Sequence, residues 1–114
     1  MGNTFYKPML TTLKGQPKVS QVEFCPNIVS SVLDIDKRGT LLATRIKQIS
    51  ERYNMPVHLV AHSFSGVDCR AAISLNNLSE HVLSLTTVAT PHLGMDLINK
   101  CVRFPGLYDI RAFA

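Results

Sequence analysis

Apolar residues recur at helical spacing in some stretches of the chain and crowd into short β-branched runs in others. Met9, Leu10 and Leu13 fall on one side of a helix read over Tyr6–Leu13. Gly15 and Pro17 break the chain after it. Val19, Val22 and Phe24 mark a short extended segment, Lys18–Phe24, which Pro26 stops. Residues 27–36 read as a connecting loop, in which Asp34 or Asp36 caps the helix that follows by accepting from its free N–H groups. That helix runs from about Lys37 to Tyr53, with Leu41, Leu42, Arg45, Ile46 and Ile49 as an apolar stripe with basic flanks, and Asn54 and Pro56 end it.

The run Val57-His58-Leu59-Val60-Ala61 has the composition of a strand buried on both faces of a parallel sheet. A second helix is expected over about Gly66–Leu78, with Asn76 and Asn77 at its end. Val82–Ala89 is β-rich and reads as another strand, closed by Pro91 and Gly94. The tail from Met95 to Ala114 begins as a possible helix and is weakly patterned after Arg103. The order strand, helix, strand, helix, strand predicts an α/β fold, with a parallel sheet of about three strands and crossover helices. Such a sheet has two raw edges and poor cover, which points to part of a larger domain.

With 114 residues the chain holds one domain at most, and 46% hydrophobic content excludes disorder by composition. The formal net charge of +4 is spread over scattered Lys and Arg, with no dense run and no interleaved aromatics. This is the pattern of a solvated, slightly basic surface rather than a nucleic-acid site, and it is compatible with contact to an anionic lipid surface. Cys25, Cys69 and Cys101 form neither a disulfide framework nor a zinc pattern and lean towards a reducing, intracellular setting or simply unpaired core thiols. No apolar run is long enough for a transmembrane helix, and no signal peptide is recognisable at the N-terminus.

The chemistry lies in Pro56–Gly66, where an apolar run leads into a small-residue turn with Ser63 at its apex and a helix follows. This is the layout of a nucleophile elbow. A serine in a strained turn projects its hydroxyl above the strand end, and the next backbone N–H and the helix N-terminus face a developing oxyanion. The usual pattern is G-x-S-x-G; here it is Ala61-His62-Ser63-Phe64-Ser65, followed by Gly66. Ala61 and Ser65 are small enough to meet most of the steric need.

The ordered set of landmarks resembles the bacterial-type triacylglycerol lipases of the α/β-hydrolase fold. It comprises Arg38-Gly39 opening a long helix, His58–Ser63, Gly66, Arg70, and Leu85–Gly94 with its Thr90-Pro91-His92-Leu93-Gly94 turn. The resemblance spans about Phe5 to Lys100. It implies that Ser63 attacks an ester carbonyl, that the Phe64 N–H is an oxyanion donor, and that His62 and His92 flank the site. It implies a lipid or ester substrate and no cofactor; any lid and any calcium site known in such lipases are expected to be missing from these residues, so no metal ligand is expected among them. It further implies that the strand with the oxyanion loop precedes Met1 and that the triad acid and base follow Ala114, since the chain order is Ser, Asp/Glu, His.

Plainer readings stand beside these. Ser63 could be an ordinary turn serine. His92, with Asp96 or Asp109 as orienter, is better read as a turn histidine bonded to backbone than as a base. His58 reads as a core histidine, His81 as a surface-loop residue, and Cys69 as a small packing residue. Asp68 and Arg70 are spaced to point apart, and Arg70 is expected to anchor beneath the sheet. The alternative function is an inactive, truncated or degenerate hydrolase piece with a binding role or none. A nucleotide-binding βαβ unit is disfavoured because no Gly-rich phosphate loop follows either strand.

Overall fold

A computed structural model describes residues 2–25 and 34–94. The readings placed on the loop at 26–33 and on the tail from Met95, with Asp96, Cys101 and Asp109, lie outside the described residues. The elements run α1 (Gly2–Lys14), α2 (Ile35–Tyr53), β1 (Val57–His62), α3 (Ser65–Leu75) and β2 (Val82–Val88).

Local chemistry sets the helix bounds. Asp34 is the N-cap of α2: its side chain accepts from the Lys37 N–H at 2.9 Å, and its carbonyl accepts from Arg38 N–H at 2.9 Å. Of the two capping candidates, Asp36 sits instead inside the first turn, where its charge favours the positive helix end. Asn54 closes α2 in the left-handed conformation, φ 51°, with its N–H directed to Glu51 and that of Met55 to Ser50. The first helix extends beyond Tyr6–Leu13 in both directions and accommodates Pro8.

β1 and β2 pair in parallel, from Val57↔Val82 to His62↔Val88, with one irregularity between Val57 and His58. The sheet is two-stranded among the described residues, not three-stranded. The segment Lys18–Phe24 stays irregular, because Val19, Val22 and Phe24 do not keep the alternation of period two that a paired strand needs. It is held by side chains: Glu23 Oε1 accepts from Arg52 at 2.8 Å and from the Tyr53 hydroxyl at 2.9 Å.

The core lies between α2, α3 and one face of the sheet. Ala43, Ile46, Ala72 and Leu78 are buried there, and Leu42, Val57, Leu59, Ile73 and Val82 pack on them. Leu78 belongs to the turn after α3, not to the helix; α3 ends at Leu75, and Leu78 folds back as a fully buried plug. Among the described residues β1 is not buried on both faces. Val57, Leu59 and Ala61 turn inward, whereas His58 and Val60 are exposed, as helices α2 and α3 cover one side only. His58 is therefore a surface histidine, 2.6 Å from Ser84 Oγ across the sheet.

Helices α2 and α3 meet closely because both contact surfaces are small. A Cβ on Gly39 would lie 2.8 Å from Ala71 Cβ and 3.0 Å from the Ala71 and Ala72 backbone. Beside that close approach Arg38, the residue before Gly39, reaches Asp68 in the first turn of α3, next to the candidate site.

Candidate active site at the β1–α3 turn

β1 ends at His62, Ser63 and Phe64 form the turn, and α3 starts at Ser65. Ser63 has φ 57°, a left-handed conformation in a residue with a side chain. Such a backbone costs about 1–2 kcal/mol and persists only where its surroundings over-determine it. Three bonds fix it here. The Ser63 N–H donates to the Val88 carbonyl at 2.8 Å, and its own carbonyl accepts from Gly66 N–H at 3.1 Å and from the Thr90 hydroxyl at 2.8 Å. The strained apex is thus tied to the end of β2 as well as to the helix it opens.

Phe64 is the N-cap of α3 with an αR backbone, φ −63° and ψ −22°, and no side-chain cap bond. Its N–H, and those of the first turn of α3, lie at the positive end of that helix. The Phe64 carbonyl accepts from Val67 N–H at 3.0 Å.

The small residues around the turn have unequal roles. Ala61 is buried under the helices, whereas Ser65 is exposed and tolerates a side chain for that reason. Gly66 is the position where nothing larger fits: a Cβ there would lie within the Thr90 side chain, 2.6 Å from its Cγ2 and 2.9 Å from its Cβ. The Thr90 hydroxyl can reach the Ser63 carbonyl only because Gly66 leaves that space.

The two flanking histidines are committed elsewhere. His62 Nδ1 is 3.0 Å from the Tyr6 hydroxyl, and its ring sits against Phe5 and Tyr6, with centroids 5.8 and 5.7 Å away. Helix α1 is thereby joined to the residue preceding Ser63. His92 is held at both ring nitrogens: Arg70 Nη1 donates to Nδ1 at 3.1 Å, which leaves Nε2–H to donate to Thr87 Oγ1 at 3.0 Å. Arg70 is consequently an exposed clasp on the turn after β2, also 3.4 Å from the His92 carbonyl, and not an anchor beneath the sheet. His81 is half-buried rather than a free loop residue; its Nδ1 lies 3.2 Å from Ser50 Oγ and its carbonyl receives the Val57 N–H. Among the described residues no side chain hydrogen-bonds the Ser63 hydroxyl.

A buried ion pair escaped the sequence reading. Arg38 on α2 and Asp68 on α3 meet side by side, with Nε to Oδ1 and Nη2 to Oδ2 both at 2.8 Å, and both side chains are almost fully buried. The Arg38 guanidinium also lies over the Phe64 ring, 5.3 Å from its centroid. Thirty positions separate the partners, so no local spacing announces the pair. The one available signal is a charge on each helix facing small residues. Cys69, next to Asp68, is a packing residue: burial first, and then the Asp68 charge, push its thiol up from the ordinary 9.0 to about 12. Among the described residues no group of three or more His, Cys, Asp or Glu is placed to hold a metal ion. No described helix is long and apolar enough to cross a membrane.

No family model matches the chain. Over 59 residues, 51% of the chain, it is 37% identical to triacylglycerol lipase 2 of Saccharomyces cerevisiae, of which it covers 18%. The fold is similar to the crystal structure of the Bacillus licheniformis lipase BlEst2 in propeptide form. There the TM-score is 0.56 at 29% identity, over 60% of this chain and 15% of that one. The chain thus spans less than a fifth of the length of either lipase. The chain is a lipase-like α/β-hydrolase fragment.

Proposed function

We propose that this chain supplies the nucleophile segment of an enzyme that hydrolyses carboxylic esters of lipids, acylglycerols above all, through an acyl-enzyme on Ser63. The observation that carries the reading is the left-handed backbone of Ser63 at a strand-to-helix apex. It is a conformation that costs free energy and that a nucleophile elbow requires. Similarity to two lipases, one of yeast and one of Bacillus, supports the substrate class.

In this mechanism the Ser63 hydroxyl attacks the ester carbonyl and releases the alcohol, and water then hydrolyses the acyl-enzyme. The Phe64 N–H at the N-terminus of α3 donates to the oxyanion that forms in both steps. Ala61, Ser65 and Gly66 keep the turn narrow. His62 and His92 wall the site: both ring nitrogens of His92 are engaged, by Arg70 and Thr87, and His62 is turned to Tyr6 through its Nδ1. The general base and its acid come from outside the described residues, in the order Ser, Asp/Glu, His.

The test is hydrolysis of emulsified triolein and of p-nitrophenyl butyrate by the full-length gene product that carries this chain. Ser63→Ala is expected to lower turnover by about three orders of magnitude or more while leaving the far-UV circular dichroism unchanged. Equal hydrolysis by the two proteins would refute the assignment. A second reading is a non-catalytic binding piece. It is favoured by one observation: each of the four histidines of the chain has a partner other than Ser63.

A further inference from the structure

We infer that the buried Arg38–Asp68 pair is a positioning device for the oxyanion donor, acting through the ring of Phe64. The inference rests on the reading of Ser63 and Phe64 as nucleophile and donor, and it concerns residues to which that reading gives no role.

The geometry has three linked parts. Asp68 lies in the first turn of α3, where the helix's positive end favours a carboxylate. Its two oxygens take the fork of Arg38 side by side, which fixes the plane of the guanidinium as well as its position. That plane lies over the Phe64 ring at 5.3 Å. Phe64 is the residue after Ser63 and the N-cap of α3, so whatever locates its ring also limits rotation of the peptide that carries its N–H. The peptide between Ser63 and Phe64, which carries that N–H, therefore has two restraints. Thr90 holds the Ser63 carbonyl, and Arg38 holds the Phe64 side chain.

Stability alone gives a weak account of the pair. A buried ion pair recovers little more than the cost of removing two charges from water, and apolar residues of similar volume often serve as well. The close fit of Gly39 on Ala71 and Ala72 already joins the two helices. What an apolar pair would not supply is a planar cation on the Phe64 ring.

Removing one partner leaves an unpaired buried charge, and Arg38→Ala or Asp68→Ala could fail simply by unfolding. The decisive variant replaces both at once, Arg38→Met with Asp68→Leu, and it is compared with Asp68→Glu, which keeps the charge pair. Two readouts are used. The first is the 15N–1H correlation spectrum of this chain, in which the Ser63, Phe64 and Ser65 amides report the turn whether or not Ser63 is reactive. The double variant is expected to keep its melting temperature and the amide positions of β2, while the Phe64 and Ser65 cross-peaks move or broaden. The second is ester hydrolysis by the full-length product, where kcat is expected to fall roughly tenfold or more with KM little changed. Asp68→Glu is expected to restore part of kcat. A folded double variant whose Phe64 amide stays in place, or whose kcat matches the parent's, overturns the inference. If the parent itself hydrolyses no ester, it is the reading of Ser63 that fails, and the amide spectrum still decides the positioning role.

Discussion

Ser63 sits at the apex of the β1–α3 turn with a backbone that a glycine would adopt without strain. That predicts an inverted order of stability at this position. Ser63→Gly should be more stable than Ser63→Ala by about 1 kcal/mol in urea denaturation, although alanine is the better residue almost anywhere else. Equal stabilities would mean that the turn relaxes out of the left-handed region in solution. Gly66 makes the opposite case. Gly66→Ala should destabilise the chain by about 1–3 kcal/mol, since its Cβ meets the Thr90 side chain. Cys69 supplies a pH dependence. Its thiol stays neutral in the folded chain up to about 12, whereas in the unfolded chain it ionises near 9.0. Above pH 9 the unfolded state therefore binds fewer protons than the folded one, and stability falls as pH rises towards 12. Cys69→Ser or Cys69→Ala should flatten that alkaline limb of a urea-midpoint profile; an unchanged limb assigns it to other groups.

Among the elements, α2 and α3 matter most to the site, because their contact locates Arg38 against Asp68 and Phe64. Gly39→Ala raises intrinsic helix propensity by about 1 kcal/mol, yet it should lower the melting temperature, since its Cβ would press on Ala71 at 2.8 Å. A rise in melting temperature would show that the helices can separate without loss. The helices and the two paired strands were legible in the sequence because capping residues, apolar stripes and β-branched runs are local signals. Asp34 caps α2 through its side chain and Asn54 closes it in the left-handed conformation, as their chemistry allows. The third strand was not legible as a failure, since Lys18–Phe24 has strand-like residues but needs a neighbouring ladder that only tertiary structure supplies. For the same reason the strand–turn–helix around Ser63 could be read from its ordered local landmarks, and the Arg38–Asp68 pair, the Tyr6–His62 bond and the Arg70 clasp could not. They join residues between 22 and 56 positions apart, and no periodicity encodes them.

At the scale of the whole molecule, the helical cover of the sheet is one-sided among the described residues. Val60 and Val88 are 44% and 42% exposed on the two strands, and Leu83 and Leu93 are more so. A two-stranded sheet with apolar exposure and open edges is an invitation to association. The isolated chain at tens of micromolar should sediment as species heavier than 12.6 kDa. Val60→Lys should shift it towards monomer, and a monomeric parent would show that this face is covered in solution.

The central claim is that Ser63 is a nucleophile, and covalent capture tests it most directly. The full-length gene product carrying this chain would be treated with a fluorophosphonate and mapped by peptide mass spectrometry. The account predicts one phosphonyl adduct, on the peptide that contains Ser63, absent after prior denaturation and absent in Ser63→Ala. A folded protein that takes no label, or takes it on a different serine, would contradict the account.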